Sequence, residues 1–356
     1  MAARALQQAF AHLSPQTEIV LLDGMLHTPS PLKRSTYSFY LYMNRRAHWL
    51  WRLLYYRSFF QSKLLTRLVD RVIFSWEDTG QMRAAAPDAV VTSHGWTMKT
   101  AIRLGIPTFT VMTDYVYHPI WLSEKVLLYF VASQEIADDL VDNGIQRERI
   151  HLTGIPVRSM FWDVPSQKEA RQRLGLPAGP RMVLLLSGNH GVTPVLDIAR
   201  SLKGSDIFVL LAAGRNRKLE RSMQSFMETE GINGRAFGYV EEMDLLISAS
   251  DLVVTKAGGM ITSECLASGT PTISFDPIPG QEEGNARMLS DWGAGAMARN
   301  KREAVSLLLS ILGDEKCLRE MRNQAKAHGR PRAGLDIART VLDYMDSELQ
   351  DDNEVA

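Results

Sequence analysis

Short apolar runs that end in small or polar residues alternate with helix-like stretches along most of the chain. Such alternation is typical of βαβ units, in which crossover helices connect parallel strands. The runs form two sets, and a chain of 356 residues is long enough for two domains. The first set is EIVLLDG, DAVVTSHG, PTFTVMTD and LLYFVAS; the second is RMVLLLSG, DIFVLLAAG, LVVTKAGG and PTISF. We therefore predict two doubly wound, Rossmann-like α/β domains with ligands at the carboxyl ends of the strands.

The domain boundaries follow from the gap between the two sets. The stretch GIPVRSMFWDVP separates them and reads as a linker. At the front, residues 1–13 have helical apolar spacing and lead directly into the apolar run at Glu18, so the first strand of the N-terminal domain is expected to be missing. We predict an N-terminal domain over 1–153, a linker over 154–166, a C-terminal domain over 167–333, a helix over 334–349 that packs back, and a frayed acidic tail over 350–356.

Charge and cysteine content exclude several classes of protein. Forty basic and forty acidic side chains cancel, so no nucleic-acid partner is expected. Cys265 and Cys317 lie far apart without metal or redox spacing, which predicts free thiols in a reducing compartment, the cytoplasm. The sequence has no apolar run of about 18 residues and no signal-peptide pattern, so we expect no membrane-spanning segment.

One segment differs from the rest in charge and aromatic content. Between Lys33 and Arg71 there are nine cations and one carboxylate, Asp70, and ten aromatic rings lie in the same span. Interleaved cations and rings favour the headgroup region of an anionic bilayer, whereas the alternative is a helical hairpin packed by its rings. We predict peripheral contact with the inner face of the cell membrane. The candidate membrane-binding residues are Arg45, Arg46, Trp49, Trp51, Arg52 and Arg57.

The stretch DPIPGQEEGNA follows an apolar run and contains two prolines and a glycine before a helix-like segment. Proline cannot continue a sheet, and Gly280 allows a sharp turn. Gln281 and Asn285 then fall on one face of the first helical turns, where free N–H groups and the helix dipole favour a polar or anionic ligand. The alternative is an ordinary loop followed by a capped helix.

Two glycine turns in the second half of the chain suit a phosphate. In LLLSGNHGVTP, Gly188 and Gly191 lie between a strand and a helix, with Thr193 and Pro194 suited to the N-cap and first helical positions. In LVVTKAGGMITSEC, a second such turn precedes a helix that carries Glu264, which could accept hydrogen bonds from a diol or could be a solvated glutamate.

Several motifs in this order resemble one family. The sequences FGYVEEM, TKAGGMITSE, GTP and PIPGQEEGNA are similar to the donor domain of two-domain GT-B glycosyltransferases. VMTDYVYHPIW and LTGIPVR are similar to its lipid-linked branch. The resemblance is to processive diacylglycerol glucosyltransferases and monogalactosyldiacylglycerol synthases, relatives of the peptidoglycan lipid I N-acetylglucosaminyltransferase, and it covers about residues 1–345.

The resemblance implies a UDP-sugar donor and assigns the residues around it. Backbone groups near Phe237 and Val240 would bind uracil, and Glu264 would accept hydrogen bonds from the ribose. The two glycine turns would hold the diphosphate. The hexose would contact Gln281, Glu282 and Asn285. No Asp-x-Asp pair is present, which agrees with transfer without a metal or other cofactor. The implied diphosphate-binding residues are Gly188, Asn189, His190, Gly191, Gly258 and Gly259.

The acceptor side departs from the family. The family's first strand ends in a glycine-rich loop that closes on a histidine, and this chain lacks both. We therefore expect the chain as given to bind UDP and to transfer sugar poorly. Asp114 is the remaining candidate base, with His118 as its partner, although Asp114 could equally be a structural aspartate. His94, at another strand end, is a weaker candidate.

These features predict an inverting, metal-independent transfer of a hexose, glucose or galactose, from a UDP-sugar to a diacylglycerol-type lipid. One alternative is a UDP-sugar epimerase or hydrolase on the same architecture, but the aromatic, basic segment argues against it. The other is a non-catalytic donor- or lipid-binding remnant without the first strand and its glycine-rich loop. The type of hexose, the number of sugars added and the identity of the lipid stay open.

Overall fold

Every strand pair in the part of the chain that the structure describes is parallel, as the alternating pattern predicts. The structure is a computed structural model, and it describes residues 1–22, 79–186, 195–213 and 217–355. The strands are β1 Val90–Thr92, β2 Thr108–Val111, β3 Tyr129–Val131, β4 Ile150–Leu152, β5 Met182–Leu186, β6 Phe208–Ala212, β7 Gly234–Phe237, β8 Leu252–Thr255, β9 Thr272–Phe275 and β10 Gly295–Ala298.

Helices connect the strands in both halves of the chain. Short 3₁₀ turns lie at Pro119–Trp121, Arg147–Arg149 and Ser159–Phe161. The α-helices are α1 Ala2–Leu13, α2 Thr79–Ala85, α3 Gly95–Arg103, α4 Gln134–Asp142, α5 Gln167–Arg173, α6 Val195–Ser201, α7 Arg217–Glu230, α8 Met243–Ala249, α9 Gly259–Ala267, α10 Gln281–Asp291, α11 Lys301–Gly313, α12 Glu315–His328 and α13 Ala333–Val355.

The chain divides into two compact units. Unit 1 contains Met1–Arg158, Ile278–Gln281 and Arg332–Ala356, and unit 2 contains Ser159–Pro277 and Glu282–Pro331. Each unit has its own parallel sheet with helices around it. This is the two-domain α/β architecture that the sequence predicts.

In unit 1 the sheet has the strand order β1-β2-β3-β4. All residues of β2 and β3 are buried, which fits their nearly continuous apolar sequences. Helix α13 packs against α1, and the ring of Tyr344 meets the ring of Phe109 edge-on at 5.5 Å between centroids. The C-terminal helix therefore belongs to the unit that contains the N-terminus.

In unit 2 the sheet has the strand order β10-β9-β8-β5-β6-β7. The chain builds one half of the sheet outward from β5 and the other half outward from β8, so the strand order reverses between these two strands. In doubly wound sheets, ligands bind beside the carboxyl ends of the strands at this switch point. In the sequence, the two glycine-containing stretches follow the residues of β5 and β8, and the one after β5 lies outside the described residues.

A buried carboxylate lies where β8 begins. Asp251 is 1 % exposed and accepts hydrogen bonds from the Arg171 guanidinium at 2.8 Å and from the Met182 N–H at 2.7 Å. Arg171 also donates to the carbonyl of Ala249 at 2.9 Å. Arg181 and Arg322, which are more exposed, contact the other carboxylate oxygen. This network ties α5 to the starts of β5 and β8.

Two expectations about elements differ from the structure. The run at Glu18 was expected to be a strand, but residues 18–22 are not, and Val20 is 53 % exposed. Within the described residues β1 pairs with β2 alone, and an apolar run without a hydrogen-bonded neighbour does not form a strand. At the other end, α13 continues to Val355 instead of ending near residue 349, because no Gly or Pro follows Gly334 to interrupt it.

Candidate functional site

The turn after β8 leads directly into the N-terminus of α9. Gly258 is the N-cap residue of α9, with φ −69° and ψ 143°, a conformation that any residue can adopt. A Cβ added to Gly258 would meet only Ile261, at an ordinary van der Waals distance of 3.9 Å. Neither the backbone nor the packing of the described residues therefore requires glycine here. Gly258 is followed directly by the free N–H groups that begin α9.

The matching turn after β5 lies outside the described residues. Positions 187–194 contain Gly188, Asn189, His190 and Gly191, so their predicted role in holding a diphosphate stays a prediction. The switch point itself is described, because β5 and β8 pair through three residues on each strand.

Glu264 lies in α9 and is 1 % exposed. It follows Gly258 by six positions, so it lies less than two helical turns from the start of the helix. At the far side of the sheet, β7 ends at Phe237, whose ring lies 4.8 Å below the guanidinium of Arg235. Val240 is half-buried in the loop that follows. The carboxylate of Glu220 packs against Gly238 in this loop, where a Cβ would clash with it.

The proline-containing stretch leads into a helix, as the sequence predicts. Gly280 takes a φ of 101°, in the left-handed region that favours glycine, and α10 begins at Gln281. Glu282 Oε2 lies 4.0 Å from Lys256 Nζ. Asn285 is completely buried, and its Nδ2 donates to the carbonyl of Ala257 at 2.9 Å. The first turn of α10 therefore touches the segment between β8 and α9.

In unit 1, a hydrogen bond joins two of the predicted residues. Gln281, which belongs to this unit, donates from Nε2 to Asp114 Oδ2 at 2.8 Å. Asp114 follows β2 by three residues. In this contact the amide group donates and the carboxylate oxygen accepts.

His118 caps the 3₁₀ turn that follows it. Its Nδ1 accepts a hydrogen bond from the N–H of Ile120 at 3.1 Å and so caps the 3₁₀ turn. Burial, with a smaller contribution from the charge of Lys99, lowers the pKa of the imidazole. The ring is therefore neutral at pH 7, and because Nδ1 accepts, the proton lies on Nε2. His118 can donate a hydrogen bond from Nε2 but cannot use Nδ1 as a base while this cap persists.

Three residues that the sequence did not single out support these segments. Tyr129 Oη donates to the carbonyls of Trp121 and Ser123 at 3.0 and 2.8 Å, and burial raises the pKa of this phenol to about 12. Arg149 donates to backbone carbonyls of the loop before β3. Lys256 faces Glu282. Only Lys256 carries a sequence signal, since it lies beside a glycine turn, whereas the other two act through contacts that no local pattern indicates.

One set of predicted residues lies outside the described part of the chain. The membrane-binding candidates Arg45, Arg46, Trp49, Trp51, Arg52 and Arg57 lie in residues 23–78, outside the described part of the chain. Among the described residues, no helix combines the length and the apolar character needed to cross a bilayer. Within the same ranges, no group of three or more His, Cys, Asp or Glu side chains is arranged to hold a metal ion.

Comparisons with known proteins agree with this architecture. Residues 1–157 match the family model of monogalactosyldiacylglycerol (MGDG) synthase, and residues 189–334 match the glycosyltransferase family 28 C-terminal domain. The chain is 32 % identical over 244 residues to a processive diacylglycerol beta-glucosyltransferase of Bacillus pumilus, covering 68 % of this chain and 63 % of that protein. The protein of the same description from Bacillus thuringiensis is 28 % identical over 354 residues, covering 96 % and 89 %.

Solved structures show the same fold at low identity. MurG of Acinetobacter baumannii is 18 % identical, with a TM-score of 0.54 over 74 % of this chain and 75 % of that one. MnaA of S. aureus, solved with UDP, is 14 % identical, with a TM-score of 0.58 over 79 % and 80 %. Two doubly wound units of this kind define a GT-B glycosyltransferase fold. The chain thus combines a match to the MGDG-synthase model over residues 1–157 with a match to the glycosyltransferase family 28 C-terminal domain over residues 189–334.

Proposed function

We propose that this protein transfers a hexose from a UDP-sugar to a diacylglycerol-type lipid, with inversion and without a metal ion, at the inner face of the cell membrane. The two family models and the diacylglycerol glucosyltransferases among the relatives support this reaction. The alignment with the Bacillus pumilus protein spans less than two thirds of that protein's length, so the reaction of the whole protein is a proposal for this chain.

One observation carries the donor half of the proposal. The packing of the described residues does not require glycine at position 258, and Gly258 lies at a helix N-terminus on the switch point of unit 2. A diphosphate that approaches the N–H groups of α9 explains why a side chain is absent there. Uracil would lie along the loop from Phe237 to Val240, and Glu264 would accept hydrogen bonds from the ribose. Gln281 and Glu282 would contact the hexose.

The chemistry follows from this placement. The acceptor hydroxyl attacks C1 of the hexose, the bond from C1 to the phosphate oxygen breaks, and UDP leaves with the electron pair. Asp114 takes the proton of the hydroxyl, and His118, neutral at pH 7, can donate a hydrogen bond from Nε2. The N-terminus of α9 stabilises the negative charge on the departing phosphate, which is the task that a metal ion performs elsewhere.

Inversion is supported by the stereochemistry of donor and product. The sugar of UDP-glucose or UDP-galactose is α-linked, and the curated relatives are described as beta-glucosyltransferases. A β-linked product from an α-linked donor requires one in-line displacement, with a base on the side opposite the leaving group. Metal independence is supported by the absence of an Asp-x-Asp pair from the sequence.

The N-terminal half of the chain supports the proposals of a lipid acceptor and of membrane contact. The MGDG-synthase match covers residues 1–157, which include the segment of nine cations and ten rings. Each Lys or Arg beside an anionic surface contributes on the order of 1 kcal/mol. Attraction of this size would keep the protein on the membrane that contains its acceptor.

Gly258→Ala tests the donor site directly. The substitution should leave the free energy of unfolding of unit 2 unchanged within about 0.5 kcal/mol, because among the described residues the new methyl group meets only Ile261, at an ordinary contact distance. It should weaken UDP binding by roughly 10-fold or more, because the methyl group occupies the approach to the helix N-terminus. Calorimetric titration with UDP measures the affinity.

Gly179→Ala is the matched control. Gly179 lies in the same unit, has open space around an added Cβ, and lies outside the proposed site. Its substitution should change neither stability nor affinity. Equal UDP affinity in the wild-type protein and in Gly258→Ala would remove the turn after β8 from the donor site.

A further inference from the structure

A buried hydrogen bond connects two segments that the proposed function assigns to different parts of the donor. Asn285 in α10 and Ala257 before α9 are both completely buried, and Nδ2 of the asparagine donates to the alanine carbonyl at 2.9 Å. The two residues are 28 positions apart in the chain.

The accepting carbonyl lies directly before the glycine that begins the turn into α9. Ala257 immediately precedes Gly258, so its carbonyl belongs to the peptide whose N–H is that of Gly258. Holding this carbonyl helps to fix the plane of the peptide before α9, whose N–H also donates to the carbonyl of Lys256 at 2.9 Å. On the other side, the amide of Asn285 holds the first turn of α10, which contains Glu282. A buried carbonyl that loses its donor is costly, so the bond resists any separation of the two segments.

The neighbouring ion pair of Lys256 and Glu282 also joins the two segments, but more weakly. Lys256 and Glu282 have side chains that are 30 % and 21 % exposed, so water screens much of their attraction. Their contact nevertheless places a cation beside the Gly258 turn and next to the carboxylate of α10. The ion pair depends on α10 lying close to this turn, and Asn285 is one of the buried residues of α10, together with Ala286 and Leu289.

The geometry points to Asn285 as a positioning residue that couples the sugar-binding turn of α10 to the diphosphate-binding turn of α9. This inference rests on the proposed function and deepens it. The sequence assigned Asn285 to the hexose itself, whereas its amide nitrogen is engaged with the protein backbone. Asn285 acts through Ala257 and through Glu282, and it sets the distance between the two halves of the donor.

The coupling predicts a particular kinetic signature. Without the bond, the diphosphate still binds at α9, but the sugar is presented loosely for transfer. Asn285→Ala should leave the Kd for UDP within about twofold and lower kcat/KM for a UDP-hexose on the order of 10- to 100-fold, the size of effect that a small misplacement of reacting groups produces. The loss should be the same for UDP-glucose and UDP-galactose, because a positioning residue does not distinguish hydroxyl groups.

Two variants separate the bond from the packing. Asn285→Ala removes the donor and leaves a cavity, whereas Asn285→Leu removes the donor and keeps most of the volume. Both should show the same kinetic loss. Thr270→Val is the matched control: Thr270 is 4 % exposed, and its hydroxyl donates to the carbonyl of Ile247 across 23 positions within unit 2. This control should lose comparable stability and retain kcat/KM.

A second measurement does not depend on catalysis. Hydrogen exchange of the backbone amides in the first two turns of α10 and at the start of α9 should accelerate in both Asn285 variants, and not in Thr270→Val. If the wild-type protein transfers no hexose, the proposed function fails, and exchange alone decides the role of Asn285.

Three results would overturn the inference. Unchanged hydrogen exchange in both segments of the Asn285 variants would show that the bond does not stabilise their positions. A loss confined to one of the two UDP-hexoses would show that Asn285 recognises a sugar hydroxyl by contact. A loss of UDP affinity equal to the loss of kcat/KM would place Asn285 at the nucleotide instead of between the two turns.

Discussion

Asp251→Ala is expected to destabilise unit 2 by about 3 to 5 kcal/mol, the range measured when one partner of a buried ion pair is removed. The estimate rests on Arg171, whose side chain is 8 % exposed and would keep its charge without a buried counterion. The N–H of Met182 would also lose its acceptor at the start of β5. Arg181 and Arg322 are 36 % and 26 % exposed and can turn to water, so they add little to the loss.

Hydrogen exchange of the buried amides of β5 and β8 is the appropriate assay. A single urea transition of a chain with two units does not report on one of them, whereas exchange is measured strand by strand. A loss of 3 to 5 kcal/mol corresponds to exchange that is roughly 100- to 4,000-fold faster. Unit 1 amides, such as those of β2, should be unaffected and serve as the internal reference.

Asp197→Ala is the control variant. Asp197 is 45 % exposed and pairs with Arg200 and Lys301 on the surface of the same unit. Surface pairs contribute about 0 to 1 kcal/mol, so exchange in β5 and β8 should change little. If Asp251→Ala behaved like Asp197→Ala, the reasoning about a buried, uncompensated arginine would be refuted.

Three further predictions concern other parts of the chain. Glu264→Ala should weaken UDP binding about 10- to 100-fold without unfolding α9, by calorimetry, and an unchanged Kd would remove Glu264 from the ribose. Burial raises the pKa of the Cys265 thiol to about 12, so the thiol is protonated at pH 8. In the folded protein Cys265 should therefore resist alkylation while Cys317 reacts, which mass spectrometry measures. Equal labelling of the two cysteines would contradict the burial of Cys265. Neutralising four arginines together should abolish sedimentation with anionic vesicles while UDP affinity persists, and added salt should have the same effect. These arginines are Arg45, Arg46, Arg52 and Arg57. Retained sedimentation would mean that the segment packs in the protein core instead of contacting the membrane.

The sequence was sufficient for the strands whose burial is complete. RMVLLLSG and LVVTKAGG became β5 and β8 because a strand covered on both faces is apolar throughout, and this leaves a clear signal. The edge strand β10, Gly295–Ala298, is half-buried and carries small residues, so its sequence did not indicate a strand. Its identity depends on pairing with β9, a non-local contact that no local pattern contains.

The candidate site shows the same division between local and non-local information. The turn at Gly258 and the start of α10 at Gln281 followed from glycine, proline and helix-end chemistry, which are local. The engagement of Asn285 with Ala257 could not be inferred, because it joins residues 28 positions apart. For the same reason the sequence did not indicate that His118 caps the turn at Ile120 through Nδ1, nor that Gln281 bonds to Asp114.

The destination of the hexose tests the central claim most directly. The protein is incubated with UDP-hexose labelled in the sugar, glucose or galactose, and with vesicles that contain diacylglycerol and anionic lipid. Asp114→Asn, which keeps the shape of the side chain and removes its basicity, is the matched control. The account predicts that the label that is transferred, although transfer by the chain as given is expected to be slow, enters the lipid phase as a β-linked hexosyl-diacylglycerol and only when diacylglycerol is present. It also predicts that Asp114→Asn lowers this transfer while UDP still binds. Label that appears as free hexose or as an altered nucleotide sugar, independently of lipid, would contradict it.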